Sequence, residues 1–268
     1  MAKYLSDFGG PLINRNVFMF KHGEHQHLSQ MQKGVLYMNN FGYFIEREKQ
    51  ENKKEIGDKL EATLYIEDVD ISVIDEFDKE SDPVNVDHIT LISNWDKKVP
   101  LFCLFTIKSE ELLVVEENKI DAYNTRLKLR VELHSTRKQK ILSNFKGDVL
   151  FIVSPEKFLR QVNKYTEEKN ISIAHGDVMY DNFSKVNSDR LMHHFTGNNK
   201  RFFWKDNALK HQQEYRIVFP NEYSEGAVEH VIGDMSQYTT YFNLEKLLSG
   251  DVPIEFTLRF KGENHEAS

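Results

Sequence analysis

Cysteine is almost absent: the 268-residue chain holds one, Cys103. A single thiol excludes an intramolecular disulfide and any cysteine-rich metal framework, and the default reading is a reducing, cytoplasmic protein. Proline and glycine are also few, 6 and 13, which excludes collagen-like and low-complexity chains. No apolar run approaches the roughly 18 residues of a membrane span. The first ten residues lack the apolar core of a secretory signal. Positive charge is in deficit, with 35 Lys and Arg against 42 Asp and Glu, a net charge of −7. Nucleic acid is therefore not expected as a general ligand, because phosphate needs cations. Glycine-rich phosphate loops and a G-x-S-x-G nucleophile elbow are missing.

What is present is an ordinary globular composition, 40% hydrophobic, 12% aromatic and 29% charged. Strand and helix signals mix without strict alternation. Asn16–Lys21 reads as a strand, and Glu24–Lys33 as a helix with Leu28 and Met31 on one face, ended by Gly34. Val35–Met38 is a strand closed by Asn39 and Asn40. Glu46–Lys59 is a charged insertion, either a solvated helix or a mobile loop. Leu60–Ile66, Val69–Ile74 and Ile89–Ser93 are strand candidates, with an acidic connector at Asp75–Asp82. Leu101–Ile107 and Val149–Val153 are nearly continuous in apolar residues, as buried strands are. Lys108–Asn118 and Ala122–Arg130 read ambiguously, and Leu133–Asn144 is a helix candidate. Ser154-Pro155 starts a helix that runs to about Lys169, with Phe158, Val162 and Tyr165 on one face. Further strands fall at Tyr215–Phe219, Val228–Ile232 and Ile254–Phe260. The expected fold is one α+β domain over residues 1–268, a mixed sheet with the insertion at 46–59.

The stretch Lys210-His-Gln-Gln-Glu-Tyr-Arg-Ile-Val-Phe219 holds the main candidate site. Gln212 and Glu214 stand two residues apart and, in extended backbone, point into one space. Phe18-Met-Phe-Lys-His22-Gly23 ends a strand in His-Gly before a helix. His22, His25 and His27 lack the paired spacing and ligand number of a zinc site, so no metal is expected. Trp95 reads as a buried edge aromatic, and Phe202-Phe203-Trp204 as core. Cys103, in an apolar strand, reads as a small packed hydrophobe.

Three segments carry a resemblance. Gly34-Val-Leu-Tyr-Met-Asn39 with Tyr43-Phe44, then Gly57-Asp-Lys-Leu-Glu61, then Lys205 with Gln212-Gln-Glu-Tyr-Arg-Ile217, resemble an uncharacterised bacterial and phage family. That resemblance implies a phage–host setting, defence or anti-defence. It also places Asp58 and Glu61 in one pattern with Arg216. If Arg216 lies in a central strand its charge must be paired, and Glu61 or Asp58 is the expected partner.

A second resemblance is chemical. His22-Gly23 and Gln212-Gln213-Glu214 are similar to the strand-end His-Gly and the late Gln/Glu-x-Glu of ADP-ribosyltransferases. It implies NAD as cofactor, bound by His22 and Gly23, with Tyr37 or Tyr43 stacked on nicotinamide. Glu214 would then be catalytic and Gln212 would orient the acceptor. A fixed carboxylate suits a developing sugar cation. The chain departs from that family at the residue after Gly23, which is Glu, and lacks its Ser-Thr-Ser strand. The alternative is a non-enzymatic protein that binds a host or phage protein, with the Gln212–Arg216 segment structural.

Overall fold

The structure is a computed structural model and describes residues 2–51 and 57–259. Helices take 33% and strands 37% of it, mixed as an α+β chain rather than in regular alternation. Where the sequence reads as one domain, the chain divides into two compact units. The first comprises 1–32, 105–158 and 235–268; the second comprises 33–104 and 159–234.

In the first unit, strand Asn16–His22 is central. It pairs antiparallel with the second half of Pro100–Lys108, Phe20 facing Phe105. On its other side lies Asp148–Ile152, which in turn pairs with Thr239–Asn243. A separate three-stranded sheet sets Asn124–Val131 between Leu112–Lys119 and Ile254–Arg259. The reason Asn124–Val131 is a strand is its alternation. Thr125, Leu127, Leu129 and Val131 are buried while the residues between them are not, the period of a half-buried strand. Phe18, Phe20, Phe151, Leu129 and Leu247 share one apolar core.

In the second unit, Val35–Asn40 pairs with Val228–Val231 on one edge and with the start of Pro100–Lys108 on the other. That strand also pairs with Glu214–Val218, which pairs with Ala174–Asp177. Asn40 starts the helix Phe41–Glu51, its side-chain oxygen accepting the Tyr43 N–H at 2.8 Å. This is the N-cap bond that orphaned first-turn amides require. Glu46–Glu51 of the charged insertion is thus the last part of a helix. Residues 52–56 lie outside the described residues, and Gly57 to Lys59 begin a turn in which Gly57 and Asp58 are buried. Phe41, Phe202, Val99, Leu101 and Val218 form the core, so the aromatic cluster at 202–204 is packed inward as expected.

The helix expected from Ser154-Pro155 runs Pro155–Lys169, and the Ser154 hydroxyl accepts the Lys157 N–H at 3.4 Å. The largest feature not expected is a long hairpin, Leu64–Ile71 against Val84–Leu91. The acidic connector at 75–82 is its tip.

Gly34, at φ +98°, lies against the chain at Gly233: a Cβ there would meet the Gly233 carbonyl oxygen at 2.0 Å. Backbone facing backbone has no side chain to swing aside. Gly34→Ala is therefore expected to lower stability by at least about 2 kcal/mol, the scale of stored backbone strain, read as a lower denaturation midpoint in urea.

Candidate functional site

Five charged side chains of the second unit meet in its interior. Strand Glu214–Val218 is buried throughout. Positions two apart share a face, so Glu214 and Arg216 point the same way. Gln213 adopts a left-handed conformation, φ +42°, at the end of the short 3-10 turn Asn207–Gln212. Gln212 is thereby turned toward the same interior. Strand Trp204–Asp206 supplies Lys205, and the turn after Gly57 supplies Asp58 and Glu61. Gly57 is required there by close approach, since a Cβ would meet the Glu48 amide nitrogen at 2.4 Å.

Arg216 has no solvent exposure. Its Nη2 donates to Glu61 Oε1 at 2.7 Å, its Nη1 to the Phe202 carbonyl at 2.6 Å, and its Nε to Glu214 Oε1. Lys205 Nζ donates to Glu214 Oε2 at 2.9 Å and to Gln212 Oε1 at 3.1 Å, and lies 3.4 Å from Glu61 Oε1. The Tyr180 hydroxyl accepts the Glu214 N–H at 2.9 Å. The Cys103 thiol hydrogen-bonds to Glu214, so it is more than the packed hydrophobe its strand suggested. The guanidinium also lies over the Phe41 ring, 5.7 Å from its centroid.

Burial alone would raise the Glu214 pKa, but the Arg216 and Lys205 charges outweigh it and hold the carboxyl well below its ordinary range. Burial would lower Lys205 and Arg216; the Glu214 and Glu61 carboxylates raise both instead. All three are fixed as ions. Asp58 is different. Burial, with repulsion from Glu61 behind it, pushes its carboxyl up to about 7. One oxygen accepts the Leu60 N–H at 2.9 Å, and the other is buried without a hydrogen-bond partner. Three carboxylates face two cations, and Asp58 is the one that takes a proton.

The expected site residues fall in both units. His22 and Gly23 belong to the first unit, Tyr37, Tyr43, Gln212 and Glu214 to the second. His22 does end its strand, but its Nε2 is bonded to the Lys146 carbonyl at 2.6 Å, and its ring packs edge-on against Phe145. Gly23 has space for a side chain, its nearest neighbour being the Leu28 side chain at 3.6 Å. Tyr37 and Tyr43 are exposed. Gln212 and Glu214 do point into one space, which Lys205 fills. The Arg216–Glu61 pair is the one expected from the sequence pattern. Trp95 corrects the reading of a buried edge: it is 63% exposed, with Tyr223 against its ring and Lys98 over its face.

Two clefts open on the second unit. One, of about 610 Å³, is lined by Asn39, Asn40, Tyr43, Asn94, Lys97 and Lys98 among others. The other, of about 370 Å³, includes Lys49, Lys59, Thr63, Tyr65 and His88 in its lining. Neither is lined by Gln212 or Glu214. Among the described residues no group of three His, Cys, Asp or Glu is placed to hold a metal. No described helix is long and apolar enough to cross a membrane. No family model, curated protein or solved structure matches the chain.

Lys205, Tyr180 and Cys103 were the partners not read from sequence; Lys205 stood in the family pattern without a role. Arg190 was missed altogether. It is fully buried and bonded to Asp181 at 2.6 Å.

Two outcomes are expected. Arg216→Ala leaves Glu214 and Glu61 buried without their shared cation. It should cost about 3–5 kcal/mol, the usual loss when one member of a buried pair is removed, measured by thermal or urea unfolding. For Asp58 the folded chain binds its proton more tightly than the unfolded chain does. Its contribution to stability is therefore present at low pH, falls as pH rises from about 4 to about 7, and is flat above. Asp58→Asn should gain melting temperature over wild type at pH 8 relative to pH 5. An equal difference at both pH values would contradict the assignment.

Proposed function

We propose that the chain is a non-enzymatic binding protein that engages a host or phage protein, with Gln212 to Arg216 as its internal clamp. One observation carries the reading. Glu214 is 7% exposed, and its two oxygens are taken by Arg216 and Lys205. A carboxylate that stabilises a sugar cation must face that cation, across a space the substrate enters. Here both oxygens face protein cations, and breaking either contact leaves a buried charge unpaired. The phage–host setting rests on the resemblance carried by Gly34–Asn39, Gly57–Glu61 and Gln212–Ile217.

A second reading, an NAD-using ADP-ribosyltransferase-like protein, keeps one observation in its favour. Tyr43 lines the 610 Å³ cleft beside Lys97 and Lys98, an aromatic face next to cations that would suit a dinucleotide.

Incubation with nicotinamide-labelled NAD separates the two. The expected result is no NAD binding by calorimetry, no nicotinamide release and no labelled product. Nicotinamide release that Glu214→Gln abolishes, in a variant melting like wild type, would replace the binding reading with the enzymatic one.

A further inference from the structure

The hairpin Leu64–Ile71 and Val84–Leu91 pairs antiparallel in an unshifted register from Leu64 facing Leu91 to Ile71 facing Val84. At about 3.4 Å per residue each strand is roughly 27 Å long. Its base is anchored in the second unit. Leu64 is buried, and the buried Arg190 donates to the Tyr65 carbonyl at 3.3 Å. Beyond the base nearly every residue is exposed.

Charge on this arm is one-sided. Between Glu67 and Asp87 there are nine carboxylates and one cation, Lys79. The chain nets −7 and the arm −8, which leaves +1 for everything else. The acidity of the protein is the acidity of one hairpin. Among the described residues none of these nine carboxylates makes an ion pair. The contacts they make are local: the Asn85 amide bonds Asp68 and Asp70, Asp75 accepts the Phe77 and Lys79 amides, and the Tyr65 and Ser72 hydroxyls donate to Glu67 and Glu80.

The tip is apolar as well as acidic. Phe77 is 80% exposed, between Glu76 and Asp78, and Val73, Ile74 and Val84 are exposed with it. Four exposed apolar side chains at one end of a ribbon, one of them a phenylalanine, are the make-up of an interaction surface. The charge decides what it meets. A second copy of the chain would bring −8 against −8, and a nucleic acid would bring phosphate. A cationic protein surface is the complement, with an apolar pocket for the phenyl ring.

We infer that residues 64–91 form a docking arm for a basic protein, with Phe77 as the buried anchor and the surrounding carboxylates meeting lysines and arginines at its rim. This deepens the binding reading and rests on it. In such interfaces a central aromatic supplies most of the affinity, while surrounding charges set encounter rate and partner choice.

The test uses the full chain with a photo-crosslinker, p-benzoylphenylalanine, in place of Phe77. A second version carries it in place of Tyr37, an exposed residue outside the arm. Each is irradiated in a bacterial host lysate, and the crosslinked protein is identified by mass spectrometry, then purified. The expected result is one protein of high isoelectric point, crosslinked at 77 through a Lys- and Arg-rich face. It should bind wild type and lose affinity by about 10-fold or more, on the scale of interfacial charge coupling, in a variant carrying Glu76→Gln, Asp78→Asn, Asp82→Asn and Asp87→Asn. Phe77→Ala should lose at least as much. Both variants should melt at or above the wild-type temperature, since these side chains have no folded-state partner to lose. A lowered melting temperature would make the charges structural and overturn the inference. So would a neutral or acidic partner, a crosslink to a second copy, or a partner that binds the neutralised arm unchanged. Capture at 37 with none at 77 would reject the arm and leave the binding reading intact. Capture at neither would reject both.

Discussion

The second unit depends on one guanidinium. Arg216 touches Glu214 beside it in its own strand and Glu61, 155 positions away in sequence. An arginine with no solvent exposure is tolerable only if each donor finds an acceptor, because an isolated buried charge is very costly. That requirement fixes the turn that presents Glu61, the carbonyl of Phe202 that takes Nη1, and the strand that presents Glu214. Lys205 follows from the same logic. Two carboxylates around one arginine would leave an excess negative charge, and the ammonium placed between Glu214, Glu61 and Gln212 neutralises it. Asp58 then completes the group as an acid rather than an ion.

This arrangement explains why the segment reads as a site. Convergent carboxylates, a lysine, a tyrosine and displaced pKa values are the signature of catalytic centres. The same signature arises where charges are buried for architecture, and access separates the two cases. A catalytic carboxylate keeps one side open to substrate. Glu214 is enclosed by Lys205, Arg216, Tyr180 and Cys103, and neither the 610 Å³ nor the 370 Å³ cleft is lined by it. Buried ionic groups of this kind gain little net stability over an apolar replacement. Here they tie the turn at 57–63 to strand Glu214–Val218 through the Arg216–Glu61 pair.

Strands with a clean period were legible in the sequence, and so was the Arg216–Glu61 pair, because a mid-strand arginine must find a carboxylate and the pattern supplied two. The helix at Pro155–Lys169 was legible from its serine and proline. The arrangement of Gln212 was only half legible. Same-face spacing brings it toward Glu214, but the left-handed Gln213 and the lysine filling the space are tertiary facts. His22 was half legible in a similar way. Its strand-end position is real, and its ring nitrogen is spent on the Lys146 carbonyl. The hairpin was missed because its residues belong to two different signals. Val69–Ile74 alternates like a strand, whereas Asp75–Asp82 has the composition of a linker. Reading the run as strand, connector and strand hid the fact that the two strands pair. Charge gave no help, since a block of like charge is also the composition of a solvated loop.

Charge is thus handled in two opposite ways in one unit. Inside, Glu214 and Glu61 face Arg216 and Lys205, and the third carboxyl, Asp58, is pushed up to about 7 by burial, so that it holds its proton on the acid side of neutrality. Outside, nine carboxylates are left unmatched along a ribbon whose tip is apolar. Solvation alone does not require that segregation: dispersed charge hydrates equally well and avoids the self-repulsion of clustered like charge. Protection of a strand edge does not require it either, because a lysine or a proline at the edge serves that purpose. Nor does either account place an 80% exposed phenylalanine among the acids, where water contacts its ring on nearly every side. Concentrated like charge around an exposed aromatic lowers the stability of the free chain and raises its affinity for a complementary surface. The docking arm proposed for residues 64–91 accounts for both features at once, the segregated charge and the exposed ring.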